Sequence, residues 1–450
     1  MGLESVDSQF THLSSIFALV TLKQTSIPML NISTTSKLQE QLISAPRELM
    51  LFELSWSGHQ AGYILHLIQY WCNHNFSGSL NIVVAPEFVQ QHIDVVEAAL
   101  KCDQQNIRFI SITPEESQAL LPESSFKNRS IRSFQSLKLL SKYAIELGAK
   151  DCLVNYFDSL QLSLAMGLKL PCAVSGIYFR PTFHYNHFAH HSSSLKDQIQ
   201  QWRERIVLSR AFSHPQFKVL FCLDPFAVSH LRKIHDGAQA VHLPDPVMSC
   251  VTSEDHLHHL RQKLGIAPDR QVFLLFGRLD GRKGIHQLLQ AVSDLPENLS
   301  KKLCLLLVGP IGSNDKLLIT PKLAEISQTS SVQIITSEQF VPDHEIQPYF
   351  QIADVVLAPY QRHVGMSAIL IRAAAAQKPV LTSNYGLMGE VTRQHQLGLA
   401  IDSTNPQEIA NGLARFLLES PDKFCDRAKM QMFAAENSPE RFAAVIFQNL

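Results

Sequence analysis

From Glu48 onward the chain alternates short apolar runs with stretches whose apolar residues recur every three or four positions. The first pattern belongs to strands buried on both faces and the second to amphipathic helices. Their alternation predicts parallel sheets covered by helices on both sides. In the first half the predicted strands are Leu49–Leu54, Leu80–Ala85, Ile107–Ile112, Cys152–Phe157, Ala173–Phe179 and Val219–Leu223. Gln60–Asn73 reads as a helix, with Ala61, Ile64, Leu65, Ile68 and Trp71 on one face. The segment His242–Val247, HLPDPV, carries two prolines that break the pattern and is the predicted linker.

A second series follows, with strands at Val272–Phe276, Cys304–Val308, Val332–Ile335, Val355–Ala358, Val380–Thr382 and Leu399–Ile401. The expected fold class is therefore α/β: two Rossmann-like, doubly wound domains facing a cleft, over 48–245 and 246–436. Such a cleft, lined by the C-terminal ends of both sets of strands, is where ligands bind. Residues 437–450 open like a helix, with Asn437 or Ser438 as N-cap and Pro439 at the first position. Residues 1–47, rich in Ser, Thr and Gln, stand apart as an extension with a short helix expected at 36–43.

Composition narrows the function. With 45% apolar and 18% charged residues the chain has material for large cores, and disorder is not expected over most of it. A formal net charge of −1 argues against nucleic acid as a partner. The eight cysteines include no CxxC pair and lie mostly in apolar runs, so they are expected to be reduced thiols, neither disulfide-bonded nor zinc-bound. No run reaches the roughly 18 apolar residues of a membrane span. Ile16–Val20 lacks the basic flank of a signal peptide, and a cytoplasmic location is expected.

Two anion signals stand out. In VFLLFGRLDGRKGI a buried strand runs into Gly277 and Arg278, and Lys283-Gly284 lead into a helix. Arg278 can fork onto phosphate oxygens, Lys283 adds a movable charge, and the glycines bring backbone N–H groups close. Farther on, a strand ending at Ala358 is followed by a turn and a helix-forming run from Ala368, with Ser367 as predicted N-cap. The N–H groups of Gly365, Met366 and Ser367 would point out of that helix start, where the macrodipole favours negative charge. Each turn alone reads equally well as an ordinary solvated loop or a capped core helix. Together, at strand C-termini of one domain, they point to a nucleotide diphosphate.

Val272 to about Phe416, roughly a third of the chain, resembles the donor-binding domain of GT-B glycosyltransferases, closest to the large retaining family 4. The resemblance lies in FGRLDGRKGIHQLLQA, LLLVGPIG, FVPDHEIQPYFQIADVVLAPY, GMSAILIRAAAAQKPVLTSNYGLMGEV and GLAIDSTNPQEIANGLARFL. It implies a nucleotide-diphosphate sugar as donor substrate, with no further cofactor and no bound metal. Arg278 and Lys283 would contact the diphosphate, as would the backbone of Gly365-Met366-Ser367, and Glu390 in GLMGEV would contribute on the donor side. It also implies a last helix that crosses back to the first domain. The family's two glutamates, eight positions apart, are replaced here by Val364 and Arg372. That departure weakens the case for retaining chemistry and leaves a catalytically silent relative open.

On the acceptor side, SWSGHQAGYI after the first strand resembles the Gly-His loop of inverting GT-B enzymes. It implies Gly58 and His59 at the cleft, with His59 taking the proton of the acceptor hydroxyl; imidazole titrates near working pH. Asp158 is the candidate to orient it, and Arg180 the candidate contact for an acidic or phosphorylated acceptor. His184, His187, His190 and His191 form a cluster read as a polar loop in preference to a metal site. Leu195–Phe212, with Lys196, Arg203, Arg205 and Arg210, reads as a solvated helix face, with weak peripheral contact to anionic lipid as the second reading. A dinucleotide oxidoreductase is the alternative from another class; no GxGxxG follows any predicted strand.

Overall fold

The computed structural model describes residues 46–450 except 57, 59, 103–105, 189–193 and 249. The helix expected at 36–43 lies outside the described residues. Seven strands form the first sheet: β1 Arg47–Glu53, β2 Gly78–Val84, β3 Ile107–Ser111, β4 Asp151–Val154, β5 Ala173–Tyr178, β6 Phe217–Cys222 and β7 Ala240–His242. Six form the second: β8 Gln271–Phe276, β9 Leu303–Val308, β10 Gln333–Ser337, β11 Val355–Ala358, β12 Val380–Ser383 and β13 Gly398–Ile401. Nine helices matter below: α1 Gln60–Asn73, α2 Phe126–Glu146, α3 Leu195–Phe212, α4 Pro225–Leu231, α5 Ile285–Ser293, α6 Asp343–Ile352, α7 Ala368–Ala375, α8 Gly386–Gln394 and α9 Pro439–Asn449.

All pairings are parallel, in the orders β3-β2-β1-β4-β5-β6-β7 and β10-β9-β8-β11-β12-β13. Both are doubly wound Rossmann-like sheets. Their strand order reverses between β1 and β4 in one and between β8 and β11 in the other, which opens a crevice at each of those two points. Burial follows the pleat. In β8, Val272, Leu274 and Phe276 enter the core on one face, while Phe273 and Leu275 enter the core on the other. Burial on both faces explains why these strands read as unbroken apolar runs.

Three details depart from the sequence expectation. Strand β4 stops at Val154, short of Phe157, and the chain enters a tight turn at Phe157–Ser159; the Asn155 side chain donates to Glu53 at the end of β1. Phe157 then packs against Gly176, where a Cβ would lie 2.7 Å from its ring. The segment read as a linker begins inside the edge strand β7, and its Leu243, Asp245 and Val247 are buried. Asn437 clamps it, taking the Asp245 N–H on its side chain and the Val247 N–H on its carbonyl, both at 3.0 Å. Cys72 on α1 and Cys102 form a disulfide, which corrects the expectation of eight reduced thiols.

Helix α9 starts at Ser438, whose side chain accepts the Arg441 N–H, and lies along α1. Phe442 meets Tyr63 with ring centroids 4.9 Å apart, and Phe447 stacks on Tyr70 at 5.5 Å. Among the described residues no helix is long and apolar enough to cross a membrane.

Candidate active site

The turn after β8 is held in one shape by its own residues. Gly277 takes φ +98°, and its N–H donates to Val308. Asp280 accepts the Lys283 N–H and closes a single tight turn, Gly281–Lys283. Gly284 takes φ +75° and lies so close to the turn after β11 that a Cβ would stand 2.0 Å from the Pro359 oxygen. No residue with a side chain fits there. The Gln361 N–H donates to the Arg282 carbonyl at 2.8 Å. Lys283 is buried, its Nζ donating to the Phe276 carbonyl and to the Tyr360 hydroxyl, both at 2.6 Å. The two turns at the second crevice are thus one unit.

Lys283 keeps one N–H in reserve. A Cβ at position 277 would stand 2.9 Å from Nζ, so glycine there leaves the ammonium uncovered on that side. Arg278 is exposed and makes no hydrogen bond or ion pair with another described residue. His363, behind the second turn, is pushed down to about 4 by burial, aided by the nearby charges of Arg282, Lys283 and Arg180. A neutral imidazole among three cations describes a pocket whose potential favours an anion.

The start of α7 differs from the expectation at two points. Ser367 is the N-cap residue, but its side chain makes no cap; Oγ reaches the Tyr360 hydroxyl instead, at 3.5 Å. The Gly365 N–H is not free: it donates to the Tyr185 hydroxyl at 3.2 Å. The amides of Met366 and Ser367 have no hydrogen-bond partner among the described residues. Gly365, at φ +97°, also lies against the first domain, where a Cβ would be 2.9 Å from the Phe179 oxygen and 3.8 Å from Arg180 Cγ. Arg180, expected on the acceptor side, therefore stands beside the donor-side turn.

Arg372 is buried. It pairs with Asp343 at the start of α6, its carbonyl accepts from Gln347, and burial lowers the guanidinium pKa. Asp245 lies nearby, bonded to the Tyr63 hydroxyl, its carboxyl pushed up to about 6 by burial. Glu390, on α8, is engaged by Arg393 at 2.6 Å.

At the crevice of the first sheet, Gly58 takes φ +99°; His59 lies outside the described residues, as do His190 and His191. Asp158 accepts the Phe179 N–H at 2.9 Å, and burial pushes its carboxyl up to about 7 against the pull of Arg180. Sequence reasoning passed over a second carboxylate. Glu53 ends β1, is 3% exposed, and accepts from the Ser55 N–H at 2.7 Å and the Asn155 amide at 3.1 Å. Burial pushes it up to about 7. A glutamate closing the apolar run of β1 was the available signal. Tyr185, Tyr360 and His363 were also missed, since nothing in sequence brings Tyr185 to Gly365. Among the described residues no group of histidine, cysteine and carboxylate side chains is placed to hold a metal ion.

Residues 258–435 match the family Glycosyl transferases group 1. Over 192 residues the chain is 30% identical to a lipopolysaccharide 1,2-N-acetylglucosaminetransferase of Salmonella typhimurium, covering 41% of this chain and 50% of that protein. It is 27% identical over 202 residues to a D-inositol 3-phosphate glycosyltransferase of Corynebacterium urealyticum, covering 44% and 45%. The match thus spans half or less of these curated relatives. Among solved structures, Anabaena HepE in complex with UDP superposes with a TM-score of 0.62 at 13% identity, over 89% of this chain and 98% of that one. The same protein with UDP-glucose gives 0.61. The chain therefore carries a Glycosyl transferases group 1 domain over residues 258–435, within a two-domain fold of the GT-B kind.

Proposed function

We propose that the protein moves a sugar from a nucleotide-diphosphate donor to an acceptor hydroxyl. The observation that carries this reading is the locked pair of turns after β8 and β11, with an exposed Arg278, a buried Lys283 and unpartnered amides at Met366 and Ser367. As the bond from the sugar to the diphosphate breaks, negative charge grows on the leaving phosphate. These groups meet it without reorganising, usually the largest catalytic contribution in such a site. No further cofactor is needed. On the acceptor side His59 takes the hydroxyl proton as the new glycosidic bond forms. Asp158 and Glu53, both partly protonated near neutral pH, bracket the crevice of the first sheet. Two of the similar structures were solved with UDP and UDP-glucose, which makes uridine donors the first to try.

A second reading, a non-catalytic relative that binds a nucleotide sugar or a protein partner, is favoured by Arg372, which sits in an ion pair where the sequence resemblance implies a carboxylate. A panel of nucleotide sugars, tested for release of free nucleotide diphosphate with and without sugar and lipid acceptors, separates the two. Acceptor-dependent release supports transfer. Binding of a nucleotide sugar without release from any donor supports the second reading.

A further inference from the structure

Helix α3 carries an apolar stripe on the side that faces solvent. At about 100° per residue, Leu195, Ile199, Trp202 and Ile206 fall within an arc of about 60°. All four are exposed, Leu195 by 79% and Trp202 by 64%. Gln201, Leu208 and Ala211, buried against the domain, lie on the opposite side. A solvated helix face would put its charges where this one puts leucine, isoleucine and tryptophan.

The charges are sorted as well. Lys196, Arg203 and Arg210 flank the stripe on one side and Arg205 on the other, all exposed. Both acids of the helix are engaged. Asp197 accepts the N–H of the N-cap residue Ser194 in a capping box, and Glu204 takes the Tyr178 hydroxyl and the Thr182 N–H. Phe126, at the start of α2, widens the apolar surface, with the Arg203 guanidinium 4.8 Å from its ring centroid.

Beside the stripe, between α3 and the end of α4, lies a groove of about 430 Å³ that includes Trp202, Arg205, His187, His230 and Lys233 in its walls and no carboxylate. Arg205 is held in place by donating from Nη2 to the Phe183 carbonyl at 2.9 Å. That leaves its other N–H groups for an incoming anion. The His230 pKa is lowered by burial and by the neighbouring His187, His184, Lys233 and Arg205, so the groove is electropositive.

We propose that this face docks onto a bilayer carrying anionic phospholipid, the stripe entering the acyl boundary and the groove taking a lipid phosphate. An outward apolar stripe between two cationic flanks is the pattern of a helix lying in the membrane interface, with tryptophan at headgroup depth. Clustered Lys and Arg supply the electrostatic part of that affinity. The inference does not depend on the transfer reading.

The test is co-sedimentation of the full chain with vesicles of phosphatidylcholine alone or mixed equally with phosphatidylglycerol. Binding is expected to the mixed vesicles only, weakened by salt, with a blue shift of tryptophan emission that Trp202→Ala removes. The double variants Ile199→Gln with Trp202→Ala, and Arg205→Glu with Lys233→Glu, should each lose roughly tenfold or more in affinity. The first double variant should keep the wild-type thermal midpoint, since both altered side chains are exposed, whereas the second also loses the Arg205 bond to the Phe183 carbonyl and should melt somewhat lower. Equal binding to both vesicle types would overturn the proposal, as would binding indifferent to both double variants. Binding of inorganic phosphate or of an acidic protein without vesicle binding would also overturn it.

Discussion

The Tyr185 hydroxyl of the first domain accepts the Gly365 N–H of the second at 3.2 Å. One amide at the start of α7 is thereby held by protein, and a phosphate arriving there meets Met366 and Ser367 first or displaces the tyrosine. Tyr185→Phe should free that amide for ligand and strengthen nucleotide-diphosphate binding by about 0.5–1.5 kcal/mol, while losing about 1–3 kcal/mol of stability to the unpaired group. Calorimetric titration and urea unfolding of the same variant measure both. Weaker binding in Tyr185→Phe would show that the hydroxyl serves the ligand and does not compete with it.

Glu53 gives the pH dependence a definite sign. Burial raises its carboxyl from 4.5 to about 7, so between these values the folded chain binds more protons than the unfolded one. Stability then falls as pH rises through that window, and the loss is complete above it. Asp158, raised from 3.8 to about 7, acts in the same direction. In Glu53→Gln the decline between pH about 4.5 and about 7 should be shallower than in wild type, as read from urea midpoints across pH. Parallel profiles for the two proteins would mean that Glu53 ionises as freely in the fold as in water.

Much of the architecture was legible in the chain. Strands such as Val355–Ala358 and the helix Gln60–Asn73 announce themselves because continuous apolar runs and helical spacing record burial directly. The edge strand Ala240–His242 did not, being three residues long with only Ala240 buried. The Cys72–Cys102 bond was hidden for another reason: it joins residues 30 apart whose approach depends on how α1 sits on its neighbours. The donor-side turns were readable because glycine and cation positions are local. The Gly365–Tyr185 bond and the Arg372–Asp343 pair come from tertiary packing, which no local pattern encodes.

Arg372 tests the second, non-catalytic reading. Arg372→Glu would remove the charge paired with Asp343 and place a carboxylate near it and the buried Asp245. A loss of about 1–3 kcal/mol is expected, because Arg372 is buried but its partner Asp343 is largely exposed and screened by solvent. Turnover should not rise. A stable Arg372→Glu protein with higher activity would show that a carboxylate at this position serves the reaction.

His59→Ala addresses the acceptor side. A positioned base contributes roughly 10²–10⁴-fold in rate. The variant should lose about that factor in turnover with donor binding unchanged, and NMR of the wild-type product should show inverted anomeric configuration. Full turnover in His59→Ala, or a retained configuration, would assign the proton transfer to another group.

The most direct test of the account is calorimetric titration of UDP and GDP into wild type, Arg278→Ala and Lys283→Ala. Each variant should bind the nucleotide diphosphate more weakly by about 1–3 kcal/mol, the scale of a charge-assisted contact. Arg278→Ala should keep the wild-type thermal midpoint, because Arg278 is exposed and unpaired among the described residues, whereas Lys283→Ala should lower it by stranding the Phe276 carbonyl and the Tyr360 hydroxyl. Unchanged affinity in both variants would contradict the claim that these two turns hold a nucleotide diphosphate.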